Sequence, residues 1–408
     1  MSDQDRNGPD LAPLIYLIAG EPSGDLLGAR LMAALKAETG GAVRFAGIGG
    51  DAMQAQGLKS RTPLSALAVM GLVEIIPHIR RIARIIDETV ADVEAQAPAA
   101  LVTIDAPAFS LRVSRKLTTR GIRRIHYVAP SVWAWRPGRA RKIAAFLDHL
   151  LALLPFEPPY FEVHGLPTSF VGHPALEPEE TKADGKAFRA RHGIPADAPL
   201  LGVLPGSRAG EVGHHAPIFG RALARLKRTH PDLRAVVPTV STVIDRVRAA
   251  AAAWPVPAVI VQAPEKSQAF AAANAALATS GTVSVELAAA GVPTVVAYRA
   301  DWLSAAIASV MLKIKYVSLV NIVLDRPAQP EFLQHRCTPG RLARAVAIYL
   351  DDPVARAEQI AACTEALAQM APGGAPPSVH AARALLSAIG AGEDWQNTYT
   401  ESPAASER

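Results

Sequence analysis

The sequence predicts an α/β protein of two facing, Rossmann-like, doubly wound domains. Three observations predict it. The chain has 408 residues, 50% of them hydrophobic and only 19% charged. At that length a single core stops growing and splits, and such a composition supports well-buried cores over disorder. Short β-branched runs alternate with helical stretches of about ten to fifteen residues, the pattern of parallel sheets built from βαβ units. After a polar stretch, the whole scheme restarts.

The first half opens with the apolar run Leu14–Ala19, then Gly20-Glu21-Pro22-Ser23-Gly24-Asp25 and a helical run Leu26–Lys36. Val43–Ile48 leads to Gly49-Gly50, Ala100–Ile104 ends at Asp105, and Arg124–Val128 ends before Pro130. Glu- and Pro-rich residues from Pro174 to Asp184 read as a linker. Beyond it, Leu200–Leu204 precedes Pro205-Gly206-Ser207-Arg208, and Arg234–Pro238 and Val259–Gln262 follow. Ala275–Ala278 precedes Ser280-Gly281-Thr282, and Thr294–Tyr298 completes the second sheet. The expected division is a flexible terminus over 1–13, a domain over 14–175, a linker over 176–185, a domain over 186–392 and a polar tail over 393–408. The last helices are able to pack back on the first domain. Facing domains of this kind bring their ligand crevices, at the carboxyl ends of the strands, into one cleft.

Several function classes are excluded. A net charge of +5 and a pI near 9.3 favour anionic partners. Without a long basic run, and with 5% aromatic residues, nucleic acid is not among them. Cys337 and Cys363 form neither a disulfide framework nor a metal cluster. Leu14–Ala19 is too short for a signal core or a membrane span, so the expected location is cytoplasmic, at most against a membrane surface. There is no P-loop motif, and Gly47-Ile48-Gly49-Gly50 is a broken dinucleotide fingerprint.

What remains is phosphate and sugar chemistry. Ser280-Gly281-Thr282, between a strand and the helix Val283–Ala290, suits a diphosphate through its amides and hydroxyls. Ser207 and Arg208 form a second such loop, Arg208 supplying a fork-shaped donor. Glu286, one turn into its helix, suits ribose hydroxyls. In the first half, Asp105 stands where a strand meets the crevice and suits deprotonation of a sugar hydroxyl; a loop-capping role is the alternative. Glu21 and Ser23 suit acceptor contacts, Asp25 the N-cap of the helix after it. His173 lies at the inferred hinge, structural or catalytic. Leu72, Ile75, Ile76, Ile79, Ala83 and Ile86 form one helical stripe beside Arg80, Arg81 and Arg84, with Pro77 dividing the helix. Such a stripe suits either a buried core or the surface of an anionic membrane. Residues 302–315 are a weaker case of the same kind.

The run His126-Tyr127-Val128-Ala129-Pro130-Ser131-Val132-Trp133-Ala134-Trp135-Arg136 closely resembles the signature of the lipid-A-disaccharide synthases, glycosyltransferases of the GT-B fold. Matching stretches follow in the same order: AGEPSGD from Ala19, AVMGLVE from Ala68, IDAPAF from Ile104, LPFE from Leu154, GHP from Gly172, LPGSR from Leu204, SGT from Ser280 and VSLVN from Val317. They cover about residues 14 to 350.

The resemblance implies a donor, UDP-2,3-diacylglucosamine, and an acceptor, 2,3-diacylglucosamine 1-phosphate. It makes Asp105 the general base and puts Glu21, Ser23 and Asn321 in the active site. Arg208 falls in the diphosphate region, with no metal or cofactor required. Acylated substrates favour docking of the stripe on the cytoplasmic face of the inner membrane, and a homodimer stays open. Ala108 and Ser110 depart from the family pattern of Asp and Asn, which puts polar support for Asp105 in doubt. Val320 replaces a proline, a change expected to loosen its loop. Two rival readings are an enzyme resembling the UDP-N-acetylglucosamine 2-epimerases and a catalytically silent UDP- or lipid-binding protein.

Overall fold

The computed structural model describes residues 12–64, 79–117, 121–178, 183–300 and 314–391. The chain divides into two compact units, Met1–Glu177 with Ala371–Arg408, and Pro178–Met370.

Unit 1 begins β1 (Leu14–Ala19), α1 (Pro22–Glu38), β2 (Arg44–Ile48), α2 (Asp51–Ala55) and α3 (Ile79–Gln96). It continues β3 (Ala100–Ile104), α4 (Pro107–Lys116), β4 (Arg123–Tyr127) and α5 (Arg139–Ala144). β5 (His149–Ala152), α6 (Pro159–Glu162) and β6 (Thr168–Phe170) close the run. All strands are parallel, in the order β2-β1-β3-β4-β5-β6. β1 and β3 are buried apolar runs, as strands covered on both faces must be. Tyr16, Ile18 and Leu101 pack on one face against Ile82, Ile86, Phe109 and Val113.

Unit 2 runs α7 (Gly185–Arg191), β7 (Leu200–Leu204), α8 (Ala209–Leu226), β8 (Arg234–Pro238), α9 (Ile244–Ala252) and β9 (Ala258–Val261). Then come α10 (Lys266–Ala272), β10 (Ala275–Thr279), α11 (Val283–Ala289) and β11 (Thr294–Tyr298). α12 (Leu319–Leu324), β12 (Glu331–Leu333), α13 (Pro339–Asp351) and α14 (Pro353–Gln369) complete it. Its parallel sheet has the order β12-β11-β10-β7-β8-β9. The last described helix, α15 (Pro377–Ala388), returns to unit 1 and packs on α1. There Arg383 pairs with Glu38 at 2.8 Å. Glu177 accepts from the Ser378 backbone N–H at 2.5 Å and its hydroxyl at 3.1 Å.

Each sheet reverses its winding once. In unit 1 the chain leaves β1 for β2 on one side and later places β3 on the other; in unit 2 it leaves β7 for β8 and later places β10 opposite. The crevice of an open parallel sheet lies at the carboxyl ends of the strands flanking such a point.

One expectation needs correction. Asp25 does not cap the helix it belongs to. It is buried inside α1, and its carboxylate accepts from the backbone N–H groups of Gly50, Ala52 and Met53 at 2.7, 3.0 and 3.1 Å, capping α2. Of the two readings of the apolar stripe, Ile86 takes the buried one: with Ile82 it enters the core beneath the sheet, while Arg80, Arg81, Ala83 and Arg84 are exposed. An i, i+4 pair on one helix face must turn together. Leu72, Ile75 and Ile76, the side chain of Ile79, most of 302–315 and the polar tail lie outside the described residues. Val320, which stands where the family pattern has a proline, is fully buried in α12 against Ala288, Cys363 and Ala366.

Candidate active site

The loops at the unit 1 reversal are Gly20-Glu21 after β1 and Asp105-Ala106 after β3. Asp105 and Ala106 both take left-handed backbone, φ 48° and 44°, a conformation costing a non-glycine residue on the order of 1 kcal/mol and concentrated at functional sites. The turn is held by the Asp105 N–H, which donates to the Tyr127 carbonyl at 2.9 Å, and by Ala106 O, which accepts from Phe109 and Ser110 N–H at 3.0 Å each. Asp105 thereby leaves the sheet half-buried at its carboxyl edge. Glycine at position 20 lets the two loops meet, since a Cβ there would stand 2.5 Å from Ala106 Cβ. Glu21 and Ser23 are exposed at the start of α1. At the two positions that depart from the family pattern, Ala108 has no polar side-chain atom and the Ser110 hydroxyl is buried without a hydrogen-bond partner.

On the neighbouring strand, Val128 (φ 82°) ends β4, and the recognised aromatic run follows. Trp133 donates its indole N–H to Glu157 Oε1 at 3.1 Å and packs edge-on against Phe156. Glu157 Oε2 accepts from the Leu153 and Leu154 N–H groups at 3.0 Å each. Burial pushes the Glu157 carboxyl up to about 7, against three donors that favour its ionised form. Trp135 is exposed, with the Arg136 guanidinium 4.8 Å from its ring centroid. His173 is a buried, neutral element of the crossing to unit 2. Its Nδ1 accepts from Ala175 N–H at 3.2 Å, and burial lowers its pKa to about 4.

Unit 2 places Ser207-Arg208 after β7 and Ser280-Gly281-Thr282 after β10, again the two strands of the reversal. Gly206 takes φ 123°, and a Cβ there would collide with Glu211 at 2.4 Å. The Glu211 carboxylate folds back to accept from Ser207 and Arg208 N–H at 3.0 and 3.3 Å, and pairs with the exposed Arg208 guanidinium at 3.3 Å. An anion thus already occupies the amides at the start of α8. Gly281, at φ 151°, and Thr282 are exposed. The Ser280 hydroxyl is committed to Val317 O at 2.8 Å.

Glu286 is half-buried and paired with Lys266 at 2.5 Å. Asn321 is wholly buried: its amide donates to Gln329 O at 2.7 Å and Glu331 Oε1 at 2.8 Å, and its carbonyl accepts from Ala328 and Gln329 N–H at 2.8 and 2.7 Å. With that hydrogen-bonding capacity filled, Asn321 braces the 317–331 loop rather than presenting a group to the crevice. Glu331 is the hub of this brace, accepting also from Val317 and Ser318 N–H at 3.0 and 2.8 Å.

Reading along the chain missed Glu211, Lys266 and Glu331, and met Glu157 only as the last residue of LPFE, without a role. Glu211 carried a local signal, an acidic residue three positions after Arg208 at a helix start. The other roles are made by contacts that no spacing rule reveals. Among the described residues no group of three His, Cys, Asp or Glu could hold a metal ion, and no helix is long and apolar enough to cross a membrane.

Among solved structures, the UDP-GlcNAc 2-epimerase of Neisseria meningitidis bound to UDP-GlcNAc matches with a TM-score of 0.58 and 12% identity, covering 92% of this chain and 98% of that one. The glycotransferase of kitacinnamycin matches at 0.60 and 16%, covering 92% and 99%. These likenesses establish the two-domain GT-B fold and nothing finer. The profile of the family described as lipid-A-disaccharide synthetase matches residues 15–373. A lipid-A-disaccharide synthase of Rhodospirillum centenum is 54% identical over 92% of this chain and 94% of its own length. One of Paramagnetospirillum magneticum is 50% identical over 94% and 100%. The sequence match separates the chain from the epimerases that share its architecture: it belongs to the lipid-A-disaccharide synthase family.

Proposed function

We propose that this chain transfers 2,3-diacylglucosamine from UDP-2,3-diacylglucosamine to the 6-hydroxyl of 2,3-diacylglucosamine 1-phosphate with inversion. The products are the β-1,6-linked lipid A disaccharide 1-phosphate and UDP. The protein is a UDP-sugar-dependent hexosyltransferase. The observation that carries the assignment of its parts is topological: Asp105 and Glu21 flank the reversal of one sheet, and Arg208 and Ser280–Thr282 that of the other.

In this reading Asp105 takes the proton of the acceptor hydroxyl as that oxygen attacks the anomeric carbon, while the bond to the UDP oxygen breaks on the opposite face. Glu21 and Ser23 orient the acceptor. Arg208, Ser207 and the amides of Gly281 and Thr282 receive the negative charge growing on the diphosphate, a preorganised electrostatic stabilisation. Glu286, steadied by Lys266, takes the ribose, and Asn321 acts through the loop that anchors Ser280. The acyl chains give the apolar stripe a lipid surface to meet, with the exposed Arg80, Arg81 and Arg84 against anionic headgroups on the cytoplasmic face of the membrane.

Incubation with the UDP donor and the 1-phosphate acceptor, followed by mass spectrometry, tests the reading. The disaccharide 1-phosphate and UDP should form together. Release of UDP with free diacylglucosamine, or no turnover, would refute it.

A further inference from the structure

We propose that the loop after β4 and the start of α5, carrying Arg136 and Arg139, form the subsite that takes the phosphate monoester of the acceptor. This rests on the reaction proposed above. At the carboxyl edge of unit 1 the two assigned residues that ionise, Glu21 and Asp105, are carboxylic acids, which would repel a phosphate dianion brought beside them. Between each strand of this sheet and the helix or turn that follows, one segment alone carries a lysine or arginine. It is the segment after β4, with Arg136. Arg139, Arg141 and Lys142 follow within one turn of helix. β4 is also the strand hydrogen-bonded to β3, and its Tyr127 carbonyl holds the Asp105 N–H at 2.9 Å. Arg136 and Arg139 therefore follow the strand next to that of the proposed base.

The loop is built to present them. Val132 and Ala134 are buried and Trp133 is anchored to Glu157 at 3.1 Å, while Trp135 and Arg136, next along the chain, are exposed. Arg136 has left-handed backbone, φ 55°, and its guanidinium stands 4.8 Å from the Trp135 ring centroid, a cation–π contact that limits its freedom. Among the described residues, none of Arg136, Arg139, Arg141 and Lys142 forms an ion pair. Four cations close in sequence, with Arg136, Arg141 and Lys142 exposed and Arg139 half-buried, suit a phosphate.

The test compares two acceptors at saturating donor: the 1-phosphate and its neutral 1-O-methyl counterpart. The wild type should favour the phosphate by about 10²-fold or more in kcat/KM, from two charge-assisted contacts. The double variant Arg136→Ala with Arg139→Ala should bring that preference to within about 5-fold, through KM for the phosphorylated acceptor, with UDP affinity and melting temperature held. Arg136→Lys with Arg139→Lys should retain most of it by keeping the charge. An equal fall for both acceptors, or no fall, overturns the subsite. So does a variant that releases anionic vesicles but keeps the preference, since the loop would then read lipid headgroups. A wild type that joins sugars with no preference for phosphate overturns this inference alone; one that makes no disaccharide from either acceptor overturns the reaction beneath it.

Discussion

The indole N–H of Trp133 and the Oε1 of Glu157 meet at 3.1 Å, joining the loop after β4 to the loop after β5. The other carboxylate oxygen gathers the N–H groups of Leu153 and Leu154. One buried acid therefore fixes the loops that follow β4 and β5, and its protonation is coupled to the stability of the fold.

Burial raises the Glu157 pKa from 4.5 to about 7. Between those values the folded state binds a proton that the unfolded state has released, so the contribution of this group to stability is most favourable below pH 4.5 and falls as pH rises to about 7. The fall approaches about 1.4 kcal/mol per pH unit where it is steepest. Glu157→Gln removes this slope. Urea unfolding of both proteins from pH 5 to 8 should show the wild type losing stability relative to the variant up to pH 7, then running parallel to it. Parallel curves throughout would mean that Glu157 is ionised in the folded protein.

Gly20→Ala places a methyl 2.5 Å from Ala106 Cβ, and the Asp105 turn must give way. A misplacement of about 1 Å costs a well-aligned reaction about 10²-fold. The expected result is a loss of that order in kcat, with UDP affinity unchanged. Ala106→Gly in the same chain removes the colliding atom and suits the left-handed backbone there, so it should recover much of the rate. Failure of the second substitution to help would separate Gly20 from the Asp105 turn.

Arg208→Ala should weaken UDP binding by about 1.5–3 kcal/mol, the range of a charge-assisted hydrogen bond. Glu211 holds both Arg208 and the amides of Ser207 and Arg208, so it competes with the diphosphate for the same donors. Glu211→Gln should tighten UDP about 3- to 10-fold, since a neutral amide competes less. Calorimetric titration with UDP checks both, and a Glu211→Gln protein that binds more weakly would make Glu211 an aid to Arg208 rather than its rival.

The strands were legible where they are buried on both faces. Leu14–Ala19, Ala100–Ile104, Leu200–Leu204, Arg234–Pro238 and Thr294–Tyr298 have the same bounds in the sequence reading and in the fold. β5, β6 and β12 were not: each has three or four residues, and β6 and β12 are half-buried edge strands with no long apolar run. Asp105, Arg208 and the Ser280–Thr282 loop could be found because glycine, proline and small polar residues mark the turns at strand ends. Their partners could not. Glu286 meets Lys266 across 20 residues and Trp133 meets Glu157 across 24, distances closed only by strand pairing. Asp25 shows the same limit, for its spacing suggested its own helix and it serves one beginning at Asp51.

The account stands most directly on Asp105, whose left-handed turn puts a carboxylate at the carboxyl edge of β3. The decisive measurement is the single-turnover rate of disaccharide formation by Asp105→Asn, with UDP affinity measured on the same preparation. The rate should fall by about 10²–10⁴-fold, the range for a lost general base, while UDP binds as it does to the wild type. A variant that forms the disaccharide at the wild-type rate would contradict the account.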